Sequence, residues 1–192
     1  DSISNNRYTS ISDYVTSYNG NIDVLASPRD PRSAMKIDAK YIPILLEFAK
    51  REYDVVLIDT NHIMNEVNLM ILDNSYMSLL ILTNDLIDIK NMKSLISIFR
   101  DTDKNNYLLC LNNSRDTGRD YLSLFDIRNI LKANIDYTIS NSFYIKNIDK
   151  YVMNGEILFL NRGINRFHAN DIRKIRDIAI ELISDKYKEV LQ

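Results

Sequence analysis

The sequence predicts a three-layer α/β/α fold built on a mostly parallel sheet. Apolar runs short enough to be strands recur along the chain, at Ile22–Ala26, Val55–Ile58, Met77–Thr83, Tyr107–Leu111 and Ile135–Ile139. The intervals between them leave room for a helical crossover each time, which parallel neighbours require. The central runs show no alternation of apolar and polar residues, which is typical of strands buried on both faces of a sheet.

Helical patterns fill the intervals between these runs. Apolar residues at helical spacing predict helices over Asp38–Arg51, Asp88–Arg100, Ser123–Ala133, Lys146–Asn154 and Asn170–Leu191. Asp38 and Ser123 stand where a side chain can cap a helix N-terminus, and Gly155 is expected to end the fourth helix. The polar face of the last helix balances five acidic residues, Asp171 among them, against five basic ones, whereas a helix on a membrane surface usually carries a basic excess. We therefore expect it to dock on the sheet or in a subunit contact.

Composition limits the class of protein. A chain of 192 residues fits one domain with a substantial core. Its net charge of −2 gives no general reason to bind nucleic acid or an anionic membrane, although it leaves room for a local basic patch. No apolar stretch approaches the roughly 20 residues that span a bilayer, and no secretory signal opens the chain. The single Cys110 lies in an apolar run and is expected to be a buried, reduced thiol, so the prediction is a cytoplasmic protein.

The run Tyr53–Thr60 carries the most informative chemistry. The predicted strand Val55–Ile58 ends in Asp59, which would place a carboxylate at the carboxyl edge of the sheet, where α/β proteins bind ligands. Nucleotide-hydrolysing domains place the Asp that organises Mg²⁺ at such an edge. The alternative is that Asp59 caps the next helix after an ordinary core strand. This segment alone does not separate the two interpretations.

Several familiar site motifs are missing. A phosphate loop needs glycines and a lysine so that backbone N–H groups converge on an anion, yet none of the four glycines belongs to a G-x-x-x-x-G-K-[ST] motif. C-x-x-C, H-E-x-x-H and nucleophile-elbow motifs are also missing. His62 and His168 stand alone, and each is expected to be a solvated or capping histidine. The sequence therefore shows no complete active site, and we assign no catalytic residue.

Taken in order, five segments resemble the MinD/ParA-like P-loop ATPases, and most closely the TadZ/CpaE branch that serves assembly of Tad (Flp) pili. The branch patterns are gl-vLaaP-dP, yDyvivDtp, t--dl-slrn, lvlN and a-n-G-p, and the similar segments here are Ile22–Pro31, Tyr53–Thr60, Asn84–Asn91, Leu108–Asn112 and Tyr151–Gly155. Each match is weak by itself. Their order and spacing together are specific.

The resemblance implies a P-loop NTPase fold of the SIMIBI type that lacks its first strand and phosphate loop within these residues. Residues 1–192 would then be the C-terminal part of an ATPase domain, with the phosphate loop and a receiver-like domain expected upstream. In the resembled fold the phosphate-binding strand pairs between Val55–Ile58 and Met77–Thr83. A naturally degenerate, non-hydrolysing version is the alternative.

The resemblance also implies site residues. Asp59 would help to organise Mg²⁺, usually through water, and Asn112 lies where the family recognises adenine. The alternative for Asn112 is an ordinary asparagine that starts a loop. Asn113 occupies a position that is often basic in relatives, so no nucleotide role is assigned to it. Asn61 and His62 replace the small or proline-containing turn that usually follows the Asp, which puts the water-positioning switch in question.

The function implied is that of an ATP-dependent positioning protein. ATP and Mg²⁺ would be held between the protomers of a homodimer, which recruits pilus-secretion machinery to a polar site at the inner face of the membrane. Hydrolysis would be slow, because the task is a population switch. One alternative is a non-catalytic dimeric scaffold. Another is a ParA/MinD-type partitioning or division-site ATPase, although a DNA-partitioning protein would want a basic surface that the net charge does not indicate.

Overall fold

The computed structural model describes residues 10–34, 36–61, 63–113, 122–143 and 145–188, and His62 lies outside them. The chain divides into two compact units, Asp1–Tyr76 and Met77–Gln192, which are taken in turn.

The first unit combines a small β-hairpin with short and longer helices. Its elements are β1 (Thr16–Asn19), β2 (Ile22–Val24), α1 (Pro31–Ala34), a 3₁₀ turn (Ala39–Tyr41), α2 (Ile42–Glu52) and α3 (Glu66–Asn74). Asp38 caps the 3₁₀ turn, since its carboxylate accepts from the Lys40 backbone N–H at 3.0 Å. The predicted cap is therefore confirmed, and α2 begins one turn later than the sequence pattern indicates. Helices α2 and α3 pack on each other.

The predicted strand Ile22–Ala26 forms, but not in a parallel sheet. Its residues Ile22–Val24 pair antiparallel with β1, in a register that joins Thr16 to Val24. Both strands are exposed along their whole length. The reason is local, because a two-residue connection between consecutive strands returns the chain antiparallel, whereas a parallel pair needs a long crossover. This part of the sequence prediction is wrong.

The predicted buried strand Val55–Ile58 is also wrong. The segment forms no strand, and Leu57 is 89% exposed while Val55 is 52% exposed. A run of apolar residues becomes a buried strand only when neighbouring strands take up its backbone N–H and C=O groups. No strand in the described part of the chain pairs with this segment.

The second unit contains the parallel sheet that the sequence predicts. Strands β3 (Ser78–Leu82), β4 (Tyr107–Asn112) and β5 (Tyr137–Ile139) lie in the order β3-β4-β5, and both pairings are parallel. The helices are α4 (Leu86–Asp101), α5 (Leu124–Leu131), α6 (Ile148–Met153), α7 (Arg162–Phe167) and α8 (Ala169–Lys188), with a 3₁₀ turn at Leu158–Leu160. The α/β fold class is confirmed.

Helices cover both faces of this sheet. Cys110 and Ile139 share one face, and α8 packs there through Ile178. Leu111 and Thr138 are paired on the opposite face, where they meet Ile127 of α5 around a common pocket. Burial raises the pKa of the Cys110 thiol, which is free, as expected.

Burial of β3 is incomplete. Leu80 and Leu82 are buried at 6% and 2% exposure, but Ile81 between them is 50% exposed. Since β3 is an edge strand of the described sheet, its outer side lacks a neighbour. The predicted near-complete burial of Met77–Thr83 therefore holds for one face only. Among the helices described, none is long and apolar enough to span a membrane.

Candidate functional site at the carboxyl edge of the sheet

A short connection leads from the end of β3 into α4. Asp85 caps this helix, because its Oδ1 accepts from the backbone N–H groups of Ile87 at 2.8 Å and Asp88 at 3.4 Å. The Thr83 hydroxyl donates to the Asp88 carboxylate, which ties the strand end to the first turn of the helix. The intervening Asn84 lies at the carboxyl edge, on the face that carries Leu82.

A capping box starts α5. The Asp126 backbone N–H donates to Ser123 Oγ at 3.2 Å, and the Ser123 backbone N–H donates to Asp126 Oδ2 at 3.0 Å. The Ser123 hydroxyl also donates to that carboxylate and lowers the pKa of Asp126. The predicted cap at Ser123 is confirmed. Because Asp126 occupies the first turn with its negative charge, this helix end is not open to an anion.

A pocket of about 430 Å³ opens between these helix starts and the sheet. Its walls include Asn84, Leu111, Asn113, Ser123, Ile127 and Thr138. The Asn113 backbone N–H is used in the sheet, where it donates to the Ile139 carbonyl at 3.0 Å. Its side-chain Oδ1 is buried and has no hydrogen-bond partner among the described residues. Such an oxygen can accept a hydrogen bond from a polar ligand.

The predicted base-recognition residue Asn112 lies on the other face. It ends β4 in register with Ile139, so strand alternation places its side chain on the side covered by α8, away from the pocket. Asn112 is half-buried. The structure thus brings Asn112 and Asn113 to the same edge of the sheet, with their side chains on opposite faces. The sequence predicts a role in base recognition for Asn112 and assigns none to Asn113.

The end of β5 is held by a residue that sequence analysis placed on a polar helix face. Asp171, in the first turn of α8, is only 4% exposed. Its Oδ1 accepts from the Ser140 backbone N–H at 3.0 Å, and its Oδ2 accepts from the Ser140 hydroxyl at 2.9 Å. A signal was present, because Asp171 precedes Ile175 by four residues and Ile178 by seven, which puts it on the apolar stripe of the helix.

Lys174 adds the compensating charge. Its ammonium donates to the Thr138 carbonyl at 2.7 Å and lies 3.7 Å from Asp171 Oδ1. The carboxylate therefore has two hydrogen-bond donors and a cation nearby, as a buried charge requires.

Asp59 belongs to the first unit and is exposed, directly after segment 55–58. It does not cap α3. That cap is Asn65, whose side chain accepts from the Asn68 backbone N–H at 2.9 Å. The capping interpretation of Asp59 is therefore wrong.

No group of three Asp, Glu, His or Cys side chains able to hold a metal occurs in the described ranges. Mg²⁺ nevertheless often takes one or two protein carboxylates, with waters and substrate phosphates completing its coordination. A single exposed carboxylate such as Asp59 fits that use. The remaining ligands would be water and phosphate.

No protein-family model matches the chain, and no curated protein matches it in sequence. Solved structures do match. A ParA family ATPase from Chlorobium tepidum TLS superposes with a TM-score of 0.72 at 14% identity, over 93% of this chain and 73% of that one. The MinC:MinD cell division protein complex of Aquifex aeolicus matches with a TM-score of 0.59 at 21% identity, over 77% of this chain and 60% of that one. The chain therefore has the fold of MinD/ParA-like ATPases.

Proposed function

We propose that the protein is a nucleotide-controlled positioning protein of the MinD/ParA type that binds ATP with Mg²⁺. The observation that carries this proposal is the parallel sheet β3-β4-β5, whose carboxyl edge bears Asn84, Asn112, Asn113 and Ser140 in a fold shared with a ParA family ATPase and MinD. Ligands of open α/β sheets bind at that edge.

Two residues have proposed roles in nucleotide binding. Asn112 recognises the base, for which its amide offers both a donor and an acceptor. Asp59 orients Mg²⁺ through water. The 192 residues contain no glycine-rich loop with a following lysine, so the donors to the phosphates come from outside them in this proposal. Bound Mg²⁺ would neutralise phosphate charge, and the nucleotide would stabilise one conformational state of the protein.

The finer proposal is a TadZ/CpaE-like protein for Tad (Flp) pilus assembly. Its support is the ordered set of segments that resemble that branch. The protein would act as a cytoplasmic homodimer that gathers pilus-secretion proteins at a polar site on the inner face of the membrane. A protein partner has a parallel in the MinD match, which was solved together with MinC.

A second candidate is a non-catalytic dimeric scaffold that keeps the fold for partner contact. The observation that favours it is the absence of a G-x-x-x-x-G-K-[ST] motif from these 192 residues. A ParA-type DNA-partitioning role has less support, because the net charge of −2 supplies no general attraction to the phosphate backbone.

Titration calorimetry with Mg-ATP tests the proposal. We expect the full-length protein to bind tightly and residues 1–192 alone to bind weakly or not at all. In the full-length protein Asn112→Ala should weaken binding, and a loss on Asn113→Ala instead would assign the base to the pocket on the opposite face. Absence of binding to the full-length protein would favour the scaffold. Micromolar binding to residues 1–192 alone would show that the phosphates have been assigned to the wrong place.

A further inference from the structure

The segment that follows β5 is attached at both ends to the last two helices. At its start, Ser140 gives its backbone N–H and its hydroxyl to the two oxygens of the buried Asp171 carboxylate. At its end, the Phe143 ring packs edge-on against His168, with ring centroids 5.2 Å apart and planes at 86°. We call Ser140–Phe143 the β5 loop.

The β5 loop is itself a tight turn. The Phe143 backbone N–H donates to the Ser140 carbonyl at 3.1 Å, and the hydroxyls of Ser140 and Ser142 are hydrogen-bonded. Beyond the loop, Ile145 packs with Ile164 and Ile172 in a separate apolar cluster. That cluster anchors the chain after the loop through apolar contacts that do not include Asp171. Asp171 therefore controls where the turn begins, at the strand end.

The strand end that Asp171 holds is the neighbour of Asn112. Asn112 and Ile139 are paired in the parallel ladder, and the Asn113 backbone N–H donates to the Ile139 carbonyl. Ser140 therefore begins the loop one residue beyond the ladder partner of Asn112, on a strand about 4.8 Å away. The Asp171 carboxylate reaches Ser140 from α8, on the face where Asn112 lies. The β5 loop thus borders the position given to the base.

We propose that Asp171 is a positioning residue for base recognition: it holds the β5 loop in place as the wall of the site beside Asn112. This inference rests on the proposed nucleotide-binding function. A purely structural role for Asp171 would make its loss affect every ligand alike. If Asp171 positions the wall beside the base, its removal weakens binding only of ligands that have a base.

The test compares Mg-ATP with Mg-tripolyphosphate, which presents the phosphates without a base, on the full-length protein. Asp171→Ala removes two charge-assisted hydrogen bonds, and we expect it to weaken ATP binding about tenfold while changing tripolyphosphate binding by less than about twofold. Asp171→Asn can accept the backbone N–H and donate to the Ser140 hydroxyl, so it should restore most of the ATP affinity.

The matched control is Asp136→Ala. Asp136 Oδ2 also accepts a backbone N–H within this sheet, from Leu109 at 2.7 Å, but at the amino end of β5. It should lower stability without changing the preference for ATP over tripolyphosphate. If Asp171→Ala does not fold, Ser140→Ala carries the test, because it removes the hydroxyl bond to Asp171 and keeps the backbone bond. The same base-dependent loss, about threefold, is then expected.

The outcomes separate the hypotheses. Base-dependent loss in the Asp171 or Ser140 variants, with Asp136→Ala unaffected, supports the proposal. Equal losses of ATP and tripolyphosphate binding, or unchanged ATP binding, overturn it and leave nucleotide binding by the protein intact. If the unaltered protein binds neither ligand, the proposed function fails, and this inference fails with it.

Discussion

Asn68 donates its side-chain amide to the side-chain oxygen of Asn61 at 2.7 Å. The same amide also donates to the backbone oxygens of Asn61 and Ile63, and Asn68 is only 8% exposed. Asn68 of α3 thereby fixes Asn61 and Ile63, which follow Asp59 in the chain. Where the resemblance predicts a small or proline-containing turn, Asn61 and Ile63 are instead hydrogen-bonded to the buried side-chain amide of Asn68.

Asn68→Ala should therefore destabilise the protein. Loss of these hydrogen bonds is expected to cost about 0.5–1.5 kcal/mol in the free energy of unfolding. Asn68→Asp should cost more at neutral pH, because a carboxylate would face three oxygen acceptors. Urea denaturation of both variants measures the difference. Equal stability of the Ala and Asp variants would show that hydrogen bonds donated by the Asn68 amide do not stabilise the protein.

Asp59→Ala should weaken Mg-ATP-dependent dimerisation of the full-length protein and leave the fold intact, because the carboxylate is exposed and caps no helix. Sedimentation with and without Mg-ATP, beside a thermal melt, measures both effects. The matched control is Asn65→Ala, which removes the true cap of α3 and should cost about 0.5–2 kcal/mol of stability with normal association. Normal nucleotide-dependent dimerisation of the Asp59 variant would remove its proposed metal role.

Two leucines offer a direct contrast between burial and exposure. Leu109 in β4 is fully buried, and Leu109→Ala should cost about 2–5 kcal/mol through lost burial and the cavity left behind. Leu57 is 89% exposed, and Leu57→Ala in residues 1–192 should change stability by less than about 0.5 kcal/mol. Chemical denaturation of both variants tests this. A large loss for Leu57→Ala would mean that segment 55–58 is buried in solution.

The Tyr137 hydroxyl should ionise at a higher pH than an ordinary tyrosine. Its hydroxyl donates to the Glu181 carboxylate, an interaction that, with burial, raises the pKa of Tyr137 to about 12. Since the folded pKa lies above the unfolded value of about 10, this interaction stabilises the fold fully below pH 10. The stabilisation is lost as the pH rises from about 10 to about 12.

Tyrosinate absorbance, taken as the difference between the unaltered protein and Tyr137→Phe, isolates this ionisation. Glu181→Gln should move it toward lower pH, because the negative charge that opposes tyrosinate is gone. An unshifted titration in Glu181→Gln would assign the raised pKa to burial and to the charges of Asp177 and Asp136.

Local sequence signals predicted the elements that depend on local physics. Apolar runs identified β3, β4 and β5, and capping side chains identified the starts at Asp38 and Ser123. These predictions succeed because a capping side chain bonds backbone groups two or three residues away. Burial of an apolar run is also favourable wherever neighbouring elements can cover it. The last helix of the first unit, α3, was missed, although Asn65 stood ahead of it as a cap.

The sequence by itself determined the α/β class, the parallel core and the presence of polar side chains after its strands. Only the tertiary structure decided that segment 55–58 stays exposed, that Asn112 lies on the face covered by α8, and that Asp171 is buried against Ser140. The physical reason is the same in each case. Strand pairing, register and the docking of a helix depend on partners distant in the chain, which the apolar pattern of one segment does not encode.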